Sequence, residues 1–181
     1  MSAGHGHIDP SNKKIALLIA VLALVLAFSE TLGKAAQTSA LSLNIEASNL
    51  WAFFQAKTIR QTVLRTAMEQ TETMNSTEKS KKQVDAWKKT ADRYQSEPET
   101  NEGRKELAER AKAAEQKRDR AMAAYHQYEL ASAAVQIAIV LASAAIVTGA
   151  MALAWIGAGL GVVGIAFCLI GFLAPTAVHL F

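Results

Sequence analysis

The chain has 181 residues, 51% hydrophobic and 19% charged, with 19 Lys and Arg against 16 Asp and Glu for a formal net charge of +3. The charge is segregated: Leu130 to Phe181 contains no Asp, Glu, Lys or Arg, whereas Ala35 to Glu129 holds 16 of the basic and 14 of the acidic residues, finely interspersed. Two apolar stretches committed to lipid leave too little chain for a conventional soluble core, and interleaved charge is a solvated-helix pattern, which argues against a nucleic-acid partner.

Residues 1–12 read as a flexible Gly/His tail closed by Asp9-Pro10-Ser11-Asn12, a turn and helix-start signal. His5, His7 and Asp9 on it resemble a small metal site, but two histidines on an unanchored tail fix no geometry, so no metal or other cofactor is expected. Residues 13–33 form the first predicted transmembrane helix. It is read as retained, because Ser29-Glu30-Thr31-Leu32-Gly33-Lys34 follows the apolar run without a small-x-small cleavage pattern. Ala16, Ala20, Ala23 and Ala27 recur on one line of this helix, and the next position on that line is Glu30. Small residues mark the packed face of a membrane helix, so this line is expected to face protein.

Residues 34–129 are expected to form a helical stalk with breaks near 75–77 and 96–103. Its first part carries two apolar stripes: Leu43, Ala47, Leu50 and Phe54 on one side, and Ile45, Ala52, Ala56, Ile59, Val63, Ala67 and Met74 on another. Asn75-Ser76-Thr77-Glu78 predicts a restart with Asn75 as the cap. The helix from Glu78 to Gln95 has the stripe Val84, Trp87, Ala91, Tyr94, and Ser96 to Gly103 is a loop. From Arg104 a heptad seam of Leu107, Ala111, Ala114, Arg118, Ala121, Tyr125 and Tyr128 runs unbroken toward the second crossing. At 1.5 Å per residue the three pieces would reach about 60, 27 and 39 Å, so one segment out and two back close at the membrane. An alternative lays Leu50-Trp51-Ala52-Phe53-Phe54 along the interface as an aromatic belt.

The second crossing is predicted over 130–148, with Ala134, Ala138, Ala142 and Ala145 on one stripe and Ser132, Gln136 and Ser143 roughly opposite. Gln136 lies about as deep from the stalk side as Glu30, so the two are expected to be hydrogen-bonded partners rather than unpaired polar groups near lipid. The third crossing, 155–174, carries Gly157, Gly161, Gly164 and Gly171 with Cys168 on one face. This is a helix contact surface, not a phosphate loop, because the run lies inside an apolar span with no preceding strand. Cys168 is the single cysteine, so no disulfide framework exists. Pro175 ends the helix, and 175–181 form a short tail.

The fold class expected is therefore an all-α membrane protein, three transmembrane helices with an extramembrane antiparallel, coiled-coil-like stalk. No Ser/His/Asp, Cys/His or paired-carboxylate arrangement stands at a catalytic spacing, so the expectation is a non-enzymatic protein. The first reading is a homo-oligomeric structural or assembly protein of the lipid bilayer, because every membrane helix has a small-residue face. The alternatives are an ion or solute conduit using Glu30, or an accessory subunit with an unidentified membrane protein partner. Lys13 and Lys14 favour a cytoplasmic N-terminus, while Lys112, Lys117, Arg118 and Arg120 argue the other way.

The segment Asn44-Ile45-Glu46-Ala47-Ser48-Asn49-Leu50-Trp51-Ala52-Phe53-Phe54-Gln55-Ala56-Lys57-Thr58-Ile59-Arg60, and more weakly Gln136 to Ser143, resembles the signature of the bacterial membrane proteins of domain of unknown function 4337. The resemblance covers nearly the whole chain. It implies one crossing, a charged helical segment and a C-terminal pair of crossings in a bacterial inner membrane, and it brings no known activity or catalytic residue.

Overall fold

The computed structural model describes residues 10–74 and 77–177. Four helices account for nearly all of them: α1 (Pro10–Met74), α2 (Glu78–Gln95), α3 (Arg104–Thr148) and α4 (Met151–Leu173). Among the described residues there is no strand. Three helices are long and apolar enough to cross a membrane: α1, α3 and α4. Asn75, expected as a cap, and His5, His7 and Asp9 lie outside the described residues. The described start of α2 is instead capped by Thr77, whose side chain accepts from the Ser80 amide at 3.3 Å, satisfying one of the donors a helix start leaves open.

The chain divides into two compact units, Met1–Ala40 with Asp119–Phe181, and Leu41–Arg118. The first is a three-helix arrangement. Within this unit the order of contacts is reversed between the two helices, so they run antiparallel: Leu22 packs with Val135 and Ala138, and Ile15, earlier in α1, with Ala142 and Ala145, later in α3. Helix α4 returns antiparallel along α3 after a two-residue turn. Gly149 in that turn has φ +70°, and its amide bonds the Ala145 carbonyl at 3.0 Å, closing the C-terminus of α3. Because Gly149 does this at once, α4 begins at Met151 rather than near 155, and it ends at Leu173, two residues before Pro175.

The buried line of α1 corrects the sequence reading. Ile15, Leu22 and Ser29 are buried, whereas Ala16, Ala20, Ala23 and Ala27 are exposed. Two alanine-rich helix faces leave a gap between them; bulky Ile and Leu on α1 fill the space beside the alanines of α3. The small side chains that close this unit stand on α3 and α4.

The unit Leu41–Arg118 contains the second part of α1, all of α2 and the first turns of α3. Its core is Ala47, Leu50, Leu107, Ala111 and Ala114, with Trp51 and Phe54 packed on it. Thus Leu50, Trp51 and Phe54 serve a core rather than an interfacial belt. Trp51 Nε1 donates to Glu115 Oε1 at 2.8 Å, and its ring meets Phe54 edge-on at 5.4 Å, so the half-buried indole has its polar atom satisfied. Arg118 donates to Asn44 Oδ1 at 3.3 Å, which with the Trp51–Glu115 bond sets α3 antiparallel to α1.

Candidate functional site

Glu30 occurs where α1 and α3 lie close together. Ser29, fully buried, returns its hydroxyl to the Val25 carbonyl at 3.0 Å, so a polar side chain costs little at this contact. A Cβ on Gly33 would stand 3.4 Å from the Tyr128 Cβ. With the backbones this close, Gln136 Nε2 donates to Glu30 Oε1 at 3.3 Å. Both side chains are exposed on the protomer surface, at the edge of the packed face rather than within it. On the same side, the Tyr125 hydroxyl donates to Glu129 Oε1 at 3.4 Å, and His126 Nδ1 lies 3.8 Å from Glu129 Oε2. A groove of about 320 Å³ runs between the helices here, lined by Glu30, Lys34, Tyr125, Glu129 and Ser132 among others.

The glycines of α4 face α3 and α1. An added Cβ would stand 2.9 Å from the Ala138 carbonyl at Gly157 and 2.5 Å from Leu22 Cδ2 at Gly161; at Gly164 it would strike the Val135 side chain, and at Gly171 the Tyr128 ring at 3.0 Å. Gly159, between two of them, meets nothing. The Gly-x-Gly-x-Gly spelling is therefore a packing surface read along one helix, with Cys168 half-buried beside it.

The sequence reading missed a second polar cluster, in the Leu41–Arg118 unit. Lys57 is only 6% exposed; its ammonium lies 3.8 Å from Glu97 and 3.9 Å from Glu102, over the rings of Phe53 and Tyr94 at 5.3 and 5.2 Å. Gln61, 2% exposed, donates to the Ala91 carbonyl at 3.0 Å and accepts from Arg104, whose guanidinium lies over Phe54 at 5.0 Å. Ala47, Leu50, Phe54, Lys57 and Gln61 continue one helical line, a buried stripe that turns polar where α2 and the Ser96–Gly103 loop join it, but spacing alone does not mark its polar members as buried. Glu106 then ties this loop down, accepting from the Ser96 hydroxyl at 2.5 Å and the Glu97 amide at 3.1 Å. The Ser96 hydrogen bond is the largest cause holding the Glu106 carboxyl below its ordinary pKa. Most of these groups are paired with one another, Arg104 Nε being a buried donor without a hydrogen bond, so the cluster reads as a clamp on three helices.

Among the described residues, no three His, Cys, Asp or Glu side chains gather in a way that could hold a metal ion. The family model described as Domain of unknown function (DUF4337) matches residues 11–174. The chain belongs to that family. No curated protein and no solved structure matches it.

Proposed function

We propose that this protein is a non-enzymatic membrane protein that assembles with further copies of itself through the free face of α1. It resides in the inner membrane, with its N-terminus cytoplasmic because Lys13 and Lys14 abut the first crossing. The observation that carries the reading is an apolar line left uncovered in the charged unit: Leu41, Ile45, Ile59 and Val63 are 58, 62, 65 and 61% exposed. With Ala52 they fall within about 40° of one another at 100° per residue. Sequence spacing marked Ile45, Ala52, Ile59 and Val63 as members of one of two stripes; the other is covered within the protomer, and these four residues are exposed.

Its occupant is a second copy in parallel register. Both copies enter the same membrane in the same orientation, and Ile45, Ala52 and Ile59 recur every seven residues, the spacing of a helix seam. In parallel register each residue meets its own counterpart, so any charge on the face would meet a like charge. Between Leu41 and Val63 the face carries none: its flanks are Ser48, Gln55 and Thr62 on one side and Asn49 and Ala56 on the other. In the apolar part of α1, the exposed line Ala16, Ala20, Ala23, Ala27 offers the small side chains that membrane helices use to approach each other.

Single-cysteine crosslinking tests this. In a Cys168→Ala background, Ile45→Cys and Ile59→Cys are expected to form disulfide-linked dimers in native membranes, and Glu46→Cys and Arg65→Cys, on other sides of α1, are not. Equal or absent crosslinking at all four positions contradicts the reading.

A further inference from the structure

We propose that the groove between α1 and α3 in the membrane-spanning unit binds the head group of a phospholipid that carries a phosphate and a primary ammonium, as a phosphoethanolamine does. The site combines opposite charges in one depression of about 320 Å³: the carboxylates of Glu30 and Glu129 and the ammonium of Lys34. Glu30 commits one oxygen, Oε1, to Gln136, and its Oε2 has no partner among the described residues. The Lys34 ammonium likewise has no hydrogen bond or ion pair among them, although Glu30 is one turn away. Both groups are thus available to a ligand.

The position selects a lipid. Glu129 is the last charged residue before the charge-free C-terminal stretch, and Glu30 is the first acid after the first apolar run, so the groove lies at the level where helices leave the apolar layer and head groups sit. Beyond it, the same face of α3 continues through Gln136 to exposed Val140 and Val147, an apolar track for acyl chains.

The chemistry selects the head group. A primary ammonium has N–H donors that need acceptors, and Glu30, Glu129, Ser132 and Gln37, which line the groove, carry side-chain oxygens able to accept them; a quaternary ammonium has no such donor. Tyr125 adds an aromatic ring to the wall of a cation site. Lys34 and Glu30, an i,i+4 pair with Cβ atoms about 5–6 Å apart, can engage a phosphate and an ammonium two carbons from it at the same time. Two carboxylates against one lysine disfavour a purely anionic head group.

The test is native mass spectrometry of the full chain, transferred to detergent from nanodiscs of phosphatidylcholine containing either phosphatidylethanolamine or phosphatidylglycerol. The wild type is expected to retain phosphatidylethanolamine about tenfold over the other two, and Glu30→Gln/Glu129→Gln to lose that preference, as removal of charge-assisted hydrogen bonds implies. Glu30→Asp/Glu129→Asp should keep most of it, and Lys34→Gln, at an exposed position, should lower the amount of phosphatidylethanolamine retained. Equal retention of the three lipids by the wild type, undiminished preference in the Glu→Gln pair, or undiminished phosphatidylethanolamine retention in Lys34→Gln overturns the proposal. Glycerophosphoethanolamine at the same concentration as the lipid is expected not to displace it, and displacement would assign the groove to a soluble ester and overturn the lipid assignment.

Discussion

Lys57 concentrates the polar chemistry of the charged unit in one side chain. Its distances to Glu97 and Glu102 are too long for hydrogen bonds, so the attraction is Coulombic, strengthened by burial and by the two ring faces. Arg93 also pairs with Glu97 at 3.1 Å, which keeps that carboxylate partnered when Lys57 is lost. Lys57→Ala should therefore cost about 2 kcal/mol rather than the larger penalty of a stranded buried charge, and Lys57→Met, which keeps the stem packed on Phe53 and Tyr94, should cost less. Denaturant unfolding followed by helical circular dichroism in detergent measures both. Glu106 behaves differently. Its carboxyl is held below the ordinary value first by the Ser96 hydroxyl. A lowered folded pKa contributes stability that is present above the unfolded value and is lost as pH falls through the folded one, so the loop loosens on the acid side. Ser96→Ala should raise the Glu106 pKa toward the ordinary carboxylate value, observable by NMR titration of the side-chain carboxyl, and shift the acid loosening to higher pH.

At the scale of the helices, glycine position decides how closely α4 lies on α3. Gly157→Ala places a Cβ 2.9 Å from a backbone oxygen, which cannot rotate away, and should destabilise by about 1–3 kcal/mol. Gly159→Ala, two residues on, meets open space and should be neutral or gain less than about 1 kcal/mol from helix propensity. Thermal unfolding of the two variants side by side measures the difference. The glycine face of α4 was legible because glycine at i, i+4 and i+7 in an apolar run has few uses besides contact. The alanine line of α1 carries the same spelling and is nevertheless exposed. A small-residue stripe states that a helix can be approached closely, not which neighbour does so. The buried stripe of α1 in the charged unit was legible as far as Phe54. Its continuation through Lys57 and Gln61 was not, because burial of polar groups depends on partners from α2 and the loop, which sequence spacing does not bring into view. Thr77 as the cap of α2, in place of Asn75, reflects the same limit at a helix start, where neighbouring Asn, Ser and Thr all satisfy the local rule.

For the molecule as a whole, an all-helical chain with three helices able to cross a membrane follows from charge segregation alone, since uncharged runs of this length have few other uses. What each unit leaves uncovered has different meanings in the two. Exposed Leu17, Leu24, Val140, Val162 and Phe172 stand on the helices long and apolar enough to cross a membrane, where apolar surface suits lipid. Exposed Leu41, Ile45, Ile59 and Val63 stand in a unit rich in charge, where apolar surface of this kind calls for a protein partner. The assembly proposed for α1 answers both that line and the exposed alanines, and it requires no residue to be catalytic. Replacing Ile59, well exposed in the protomer, by Asp would put like charges on the seam without disturbing the protomer's own core. Native mass spectrometry of the intact protein released from membranes in mild detergent tests this directly. The wild type is expected at a multiple of the protomer mass and Ile59→Asp as a monomer with unchanged helical content; a wild-type protein that is monomeric under conditions preserving its helices would contradict assembly through α1.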